Sequence, residues 1–489
     1  MFEPAAADGG VAGLTLAPTA PVADAVRPIA DAQDLAARIH SYSPWCWRAD
    51  DDPGPILHLE DVSEIPFLSG IAGVEEYQHR ARVRARNGDL YATVTASDPA
   101  YDAYCTDRLR LGRVTRLSAR PRDAASRLAV AEGCLAGRAF DRLSQVAQDA
   151  GRLWIHPYMS IEPVWDLAHH LAKRTLAAVS VIGPPPPVTW IANDKALFDE
   201  VVTAVLGPEW TPDTRRASTV AGIAANLRAL AVSWPSVGLK RTRCASAMGN
   251  AVFDGATIRS EPPPEVERLV RTFLTRTEWP AGETVLAVAW EQATASPSTQ
   301  WWIPPADSGP PRLDGIYEQI LAGARKVFVG SRPSTLPDRV NRTLASAARR
   351  VAEALQALGY VGRCSFDHIV LGDPDTDFAI RFTECNGRWG GTSTPMHLVD
   401  RLITRARGAR PPYRAQDVTM PGLVGARFED LLDRAGDDAF DAERGTGRFL
   451  FYNIGPLRMF GKFDAIALGE TQADADRAML DTLPAVLGV

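Results

Sequence analysis

Apolar residues cluster most tellingly in two closely spaced runs, Cys364-Ser-Phe-Asp-His-Ile-Val-Leu371 and Phe378-Ala-Ile-Arg-Phe-Thr-Glu-Cys385, both built from strand formers. Gly372-Asp-Pro-Asp-Thr-Asp377 between them is turn chemistry, so the pattern predicts a hairpin with Leu371 opposite Phe378. Side chains two apart on a strand leave the same face, which aligns Glu384 with Asn386; the hairpin brings Asp367 to that face as well. Just upstream, Leu344, Ala348, Val351, Leu355 and Leu358 recur at spacings of four, three, four and three. That stripe predicts an amphipathic helix stopped at Gly359 and packed against the hairpin.

Along the rest of the chain the periods change. Residues 1–26 are rich in Ala, Gly and Pro and read as a flexible tail. From 27 to 189 strand-like runs alternate with helical ones, Ala124 to Ala150 among them, as in an α/β domain that exits at Pro184–Pro187. Lys195 to Val205 reads as a helix with Asn193 or Asp194 as N-cap. Val237-Gly-Leu-Lys240 is a short strand, followed by the small-residue loop Ala245–Ala251. The alternation His79-Arg-Ala-Arg-Val-Arg-Ala-Arg86 reads as the outer face of a strand rather than an anion site. Basic Arg405–Arg414 is a connector to a small appended domain, in which Gly455–Lys462 reads as a hairpin and Thr471-Gln-Ala-Asp474 as a capping box. His169 and His170 lie on a predicted helix without an acidic partner at metal spacing and are read as structural.

Composition narrows the classes. A chain of 489 residues exceeds what one hydrophobic core usually serves, so two to four domains are expected. A net charge of −6 argues against general nucleic-acid binding. The six cysteines have no metal or redox spacing, which suits free thiols, and Cys385 reads as core. With no long apolar run and an acidic start, Met1-Phe-Glu-Pro-Ala-Ala-Ala-Asp8, neither membrane insertion nor secretion is expected, and the localisation expected is cytoplasmic. Walker-A and Gly-x-Gly-x-x-Gly motifs are absent.

Asp367, Glu384 and Asn386 on one face form a hard-oxygen set suited to Mg²⁺ beside phosphates, although Glu-x-Asn before a Gly is, taken alone, more often a strand-end cap and turn. Lysine usage favours the metal. Of 53 Lys and Arg only five are lysine (Lys173, Lys195, Lys240, Lys326 and Lys462), so each stands out against an arginine background. Lys240, on a strand beside a loop of exposed N–H groups, can hold nucleotide phosphates.

The order of these parts resembles the ATP-grasp superfamily of carboxylate-amine ligases, over roughly residues 190–400. Ser296-Pro-Ser-Thr-Gln300, Glu318-Gln319-Ile-Leu-Ala-Gly323, Val329-Gly-Ser331 and the stretch from Tyr158 to Lys195 look like its peptide-ligase branch, typified by the pheganomycin N-capping ligase. The resemblance implies an α/β ATP-grasp fold of two lobes gripping ATP (190–404), preceded by a Rossmann-like pre-ATP-grasp domain (27–189) and followed by a small α+β domain (405–489). It implies ATP contacts from Lys195, Lys240, Ser246, Gly249, Asn250 and Glu291, and Mg²⁺ on Asp367, Glu384 and Asn386. Arg388 and Lys240 become the catalytic residues, with Ser298, Arg388, Gly390, Gly391 and Thr392 facing substrate. The implied reaction is ADP-forming amide synthesis through an acyl phosphate, between a small acid and an amine or peptide in natural-product biosynthesis, and a homodimer is compatible with it. An ATP-grasp kinase and a non-catalytic ATP-binding scaffold are the alternatives.

Overall fold

The computed structural model describes residues 22–42, 54–66, 68, 71–123, 126–244, 248–323, 326–404 and 408–488. Three β-sheets organise them. The first is five-stranded and wholly parallel, in the order β3-β2-β1-β4-β5, from β1 (Ile56–Leu59), β2 (Leu90–Thr93), β3 (Thr115–Ser118), β4 (Arg152–Pro157) and β5 (Ala178–Val181). Helices Gly137–Ala150 and Glu162–Thr175 bury their apolar sides with Leu57, Leu153 and Ile155 of this sheet. Its strand order reverses between β1 and β4, where open parallel sheets form a crevice beyond the strands' carboxyl ends. The second sheet is antiparallel, β6-β9-β7-β8, from β6 (Thr214–Ala217), β7 (Ser236–Arg241), β8 (Asn250–Asp254) and β9 (Val285–Ala289). Helices Val220–Ser233 and Pro263–Arg276 cover it.

The third sheet has eight antiparallel strands in the order β14-β13-β10-β11-β12-β15-β17-β16. Its strands are β10 (Pro297–Ile303), β11 (Arg312–Ala322), β12 (Val327–Pro333), β13 (Gly362–Gly372), β14 (Phe378–Asn386), β15 (Tyr413–Thr419), β16 (Phe449–Tyr452) and β17 (Lys462–Leu468). The expected helix is Asp338–Ala357, with Leu344, Ala348, Val351 and Leu355 fully buried and Gly359 at φ +91°, a left-handed stop. It packs on the hairpin through Phe366, Phe382 and Cys385 at one end and Val370 and Ile380 at the other.

Several expectations change. Residues 1–21 lie outside the described set, but the tail expected through residue 26 already becomes helix at Ala23–Ala32, because Val22, Val26 and Ile29 bury against Phe198 and Val351. The segment after 405 does not build a sheet of its own: β15 pairs with β12, and β17 and β16 extend the same sheet. Gly455–Lys462 joins antiparallel β16 and β17 as a hairpin connection, with a helical turn at Leu457–Phe460. Thr471 caps the helix Gln472–Arg477 by accepting from Asp474 N–H. His169 and His170 are exposed on their helix.

The arginine alternation is the larger surprise. Val74–Arg80 is a 3₁₀ turn running into the helix Ala81–Arg84, and Arg80, Arg82 and Arg84 are buried. A period of two is compatible with a strand, but a spacing of four on helical backbone puts Arg80 and Arg84 on one side. Both reach buried Glu60, at 2.9 Å and 3.0 Å, just beyond β1. Arg84 also donates to the carbonyls of Leu59 and Pro157, stitching the ends of β1 and β4, and lies 5.0 Å from the Trp389 ring centroid. His58, His156 and Trp389 continue this core: His58 and His156 centroids are 5.3 Å apart, and Trp389 Nε1–H donates to His156 Nε2 at 3.2 Å.

Burial pushes His58 down to about 4, despite its 3.2 Å contact with Asp89, and neighbouring Arg84 and Arg401 add to the effect. A folded pKa below the unfolded value makes the unfolded chain bind the extra proton, so His58's contribution is complete above about pH 6.5 and fades as pH falls toward 4. His58→Gln keeps a donor toward Asp89 without titrating. The stability advantage of the parent over this variant, from urea midpoints, is expected to narrow between pH 7 and 4.5; a constant difference would contradict the assignment.

Candidate active site

The acidic hairpin is the floor of the site. Asp373 N–H bonds to Asp377 O at 2.9 Å, so the turn spans five residues and the ladder begins at Gly372–Phe378, one position from the expected Leu371–Phe378 pairing. A bulge between Asp367 and His368 then leaves Thr383 as the extra residue of β14 and sets Asp367 directly opposite Glu384. The three expected oxygen-bearing side chains therefore share a face. Asn386 Nδ2 donates to Asp367 Oδ2 at 2.9 Å, and Asp367 also accepts from Ser298, its neighbour on β10, and from Gln319 on β11. Burial, reinforced by the Glu384 charge, pushes Asp367 up to about 6. Glu384 moves the other way: burial alone would raise it, but Lys195, Lys240 and Arg388 hold it below the usual carboxylate range.

Lys195 begins the helix Lys195–Leu206, and Asp194 rather than Asn193 is the cap, its Oδ1 accepting from Ala196 N–H at 3.0 Å. Lys195 N–H bonds to Thr242 O at 2.9 Å, fixing the helix start to the end of β7. Its ammonium sits 2.9 Å from Glu384 Oε2 and donates to Cys244 O at 3.3 Å. Lys240 projects from β7, opposite Asn250 of β8, and lies 5.3 Å from the Trp290 ring centroid. Gly238 makes that contact feasible, since a Cβ there would stand 2.6 Å from the Trp290 ring. Burial lowers the Lys240 pKa, with Glu384 opposing and Lys195 assisting.

Arg388 is placed by Asn193. The Asn193 Oδ1 accepts from Gly387 N–H (3.1 Å) and from an Arg388 η-nitrogen (2.7 Å), while Nδ2 donates to Thr189 O and Gly387 O. Gly387 must lack a side chain, because a Cβ would lie 2.6 Å from Asn193 Nδ2. Trp389 N–H bonds to Tyr158 O at 2.9 Å, docking this loop on the end of β4.

Two clefts flank Lys195. One, of about 330 Å³, is lined by Lys195, Lys240, Leu286, Val288 and Phe382; the other, of about 340 Å³, by Lys195, Glu384, Asn386 and Arg388, with Asn193 and Arg243. Thus Lys195, Lys240, Asp367, Glu384, Asn386 and Arg388 converge. Asp367 lines neither cleft, and nor do the other described residues expected in the site, Gly249, Asn250, Glu291, Ser298, Gly390, Gly391 and Thr392. Glu291 pairs with Arg381 at 3.5 Å. Gly249 packs its backbone on Cys244, and Ser298 is buried behind Asp367. Thr392 is buried, Gly390 half-buried and Gly391 exposed against Phe328. Ser246 lies outside the described residues. Asn193, Gln319 and Arg243 were not identified from sequence as site residues; the Asn-Asp pair before Lys195 was the available signal for the first.

No protein-family model matches the chain, and no curated protein matches it. Among solved structures it is similar to an ADP complex of N5-carboxyaminoimidazole ribonucleotide synthetase, with 13% identity, TM-score 0.51 and coverage of 88% of this chain and 96% of that one. N5-carboxyaminoimidazole synthetase from Staphylococcus aureus complexed with ADP is similar at 10% identity and TM-score 0.51, covering 90% and 99%. Biotin carboxylase from Campylobacter jejuni, as a β-γ-ATP complex, is similar at 15% identity and TM-score 0.52, covering 88% and 90%. At these identities the likeness is one of fold: the chain has the mixed α/β architecture of ATP-grasp proteins.

Because Asn193 is buried and satisfies several groups at once, Asn193→Ala is expected to cost about 2–3 kcal/mol in chemical denaturation. A loss below about 0.5 kcal/mol would show that the Arg388 loop holds its place without it.

Proposed function

We propose that the protein is an ATP-dependent, ADP-forming ligase that joins a carboxylate to an amine. The observation that carries this reading is the convergence of a three-residue acidic and amide face with two lysines where two clefts adjoin at Lys195, whose ammonium stands 2.9 Å from Glu384. The nucleotides named in the similar structures, ADP and a β-γ-ATP species, agree with a nucleotide at this junction. Asp367, Glu384 and Asn386 fit Mg²⁺, since two carboxylates and an amide are hard-oxygen donors on one face. When bound, the ion would neutralise phosphate charge.

A carboxylate resists attack by an amine because a second negative charge would develop on it and oxide would have to leave. In the proposed reaction a carboxylate oxygen attacks the γ-phosphorus and the bond to the ADP oxygen breaks, giving an acyl phosphate. Lys195 and Lys240 bind the phosphate oxygens, and the buried surroundings strengthen both contacts. Arg388 holds the substrate carboxylate and then the oxyanion formed when the amine adds to the carbonyl carbon. Phosphate leaves with the C–O electron pair, the nitrogen loses a proton to solvent, and an amide remains. Removing one such oxyanion donor costs about 10²–10³ in rate. A peptide or amino-acid-like product in natural-product biosynthesis is the finer form of this proposal, and the kinase and scaffold are its competitors.

Incubation with ATP, Mg²⁺ and pools of amino acids and amines is expected to yield ADP together with a product of condensation mass. AMP would overturn the acyl-phosphate route, and a phosphorylated product without an amine would favour a kinase. Glu384→Ala is expected to lower turnover by about 10³ or more while circular dichroism stays unchanged; an active variant would overturn the metal assignment.

A further inference from the structure

The cleft that holds Arg388 is lined by both charged and apolar side chains. Two of its three cations are already matched: Lys195 by Glu384 at 2.9 Å, and Arg243 by Asp194 at 3.2 Å. Arg388 forms no ion pair among the described residues; an η-nitrogen bonds to the neutral Asn193 amide, and its Nε is buried without a partner. Glu384 feels the Arg388 charge but makes its ion pair with Lys195, so the guanidinium has no carboxylate of its own and can take one anionic group.

The lining also includes an apolar wall of Ile65, Pro66, Met159 and Trp190, none of which ionises. Ile65 and Pro66 follow β1, Met159 follows β4, and Trp190 lies on the helix Pro186–Asn193 that leaves the parallel sheet. The wall thus stands at the crevice where the strand order reverses. The polar edge of Trp190 is occupied, its Nε1–H donating to Glu162 at 3.0 Å, and Arg243 lies 4.8 Å from its ring centroid. The indole is therefore held in place, with its hydrogen-bonding capacity used elsewhere.

We propose that this cleft selects the acid substrate: its carboxylate meets Arg388, and an uncharged, apolar side chain of leucine to phenylalanine size lies against Ile65, Pro66, Met159 and Trp190. This rests on the ligase reading and adds the class of acid. A charged side chain on this wall would lose hydration, with only Arg243, already paired with Asp194, near enough to meet an acidic one. Each methylene lost from an apolar side chain costs on the order of tenfold in kcat/KM.

The test uses the full chain with ATP, Mg²⁺ and hydroxylamine as the amine. The hydroxylamine nitrogen attacks the acyl carbonyl, phosphate departs, a proton is lost, and the hydroxamate is read by its iron(III) colour alongside ADP. The acids are leucine, methionine, phenylalanine, alanine, serine, aspartate, glutamate and lysine, together with 4-methylpentanoate and 3-phenylpropionate, which lack the amino group. Expected are kcat/KM values for the larger apolar acids at least about tenfold above alanine and about a hundredfold above aspartate or lysine. Ile65→Glu, at a half-buried position, is expected to reduce the best apolar acid by about tenfold or more while the calorimetric Kd for Mg-ADP is unchanged. Trp190→Ala is the second variant, expected to shift preference toward larger side chains. Preference for a charged or small polar acid, or indifference of the apolar acids to both variants, overturns the inference and leaves the ligase reading standing. Absence of ADP and hydroxamate with every acid, although Mg-ADP binds, overturns both.

Discussion

Two carboxylates facing each other across a strand pair, partly shut off from water, repel. That repulsion is the constraint around which the rest of the molecule is arranged. Asp367 and Glu384 reach this position because a single extra residue, Thr383, resets the ladder. The Glu384 charge is then met from three directions. The helix Lys195–Leu206 supplies one ammonium, the second sheet offers Lys240, and the loop after β14 brings Arg388. Each cation comes from a different structural layer, so the charge balance of the site and the packing of those layers are one problem.

The same logic governs the junction with the parallel sheet. Glu60 is buried at the end of β1 and would be costly alone, but Arg80 and Arg84, one helical turn apart, both reach it. Arg84 then lies against the Trp389 ring, next in sequence to Arg388. Arg388 and the contact with the parallel sheet therefore share one short loop, with Asn193 tying it from the other side.

The chain is uneven in what it discloses. The hairpin and its helix were readable because strand formers and a four-three apolar stripe coincide with a Gly and Asp turn and a Gly stop. The shared face of Asp367, Glu384 and Asn386 was readable too, but for an approximate reason: the register was off by one, and a bulge, which leaves no mark in hydrophobic periodicity, supplied the correction. Scarcity of lysine pointed to Lys195 and Lys240. Arg80–Arg84 misled because alternation cannot separate a strand's outer face from a helical turn whose guanidiniums are buried on a carboxylate; the deciding residue, Glu60, lies twenty positions away from Arg80. Asn193 was seen only as a cap candidate, since its partners Gly387 and Arg388 become neighbours only through the fold.

The connection between β16 and β17 carries a consequence for motion. Gly455 runs so close to Glu76 that a Cβ there would stand 2.4 Å from the Glu76 Cβ, which seats the far edge of the long sheet on the 3₁₀ turn between β1 and β2. The other edge of that sheet reaches the end of β4 through Trp389 and Tyr158. The parallel sheet and the eight-stranded sheet are thus joined at both ends, like a band buckled to itself, and hinging at one join strains the other. The four-stranded sheet stands outside this closed loop, attached near Lys195 and at the segment after Trp290. Among the described residues it is the layer that is not part of the circuit, held to the helix Lys195–Leu206 by Arg216 on Asp199 and Glu200, and it carries Lys240 to the cleft.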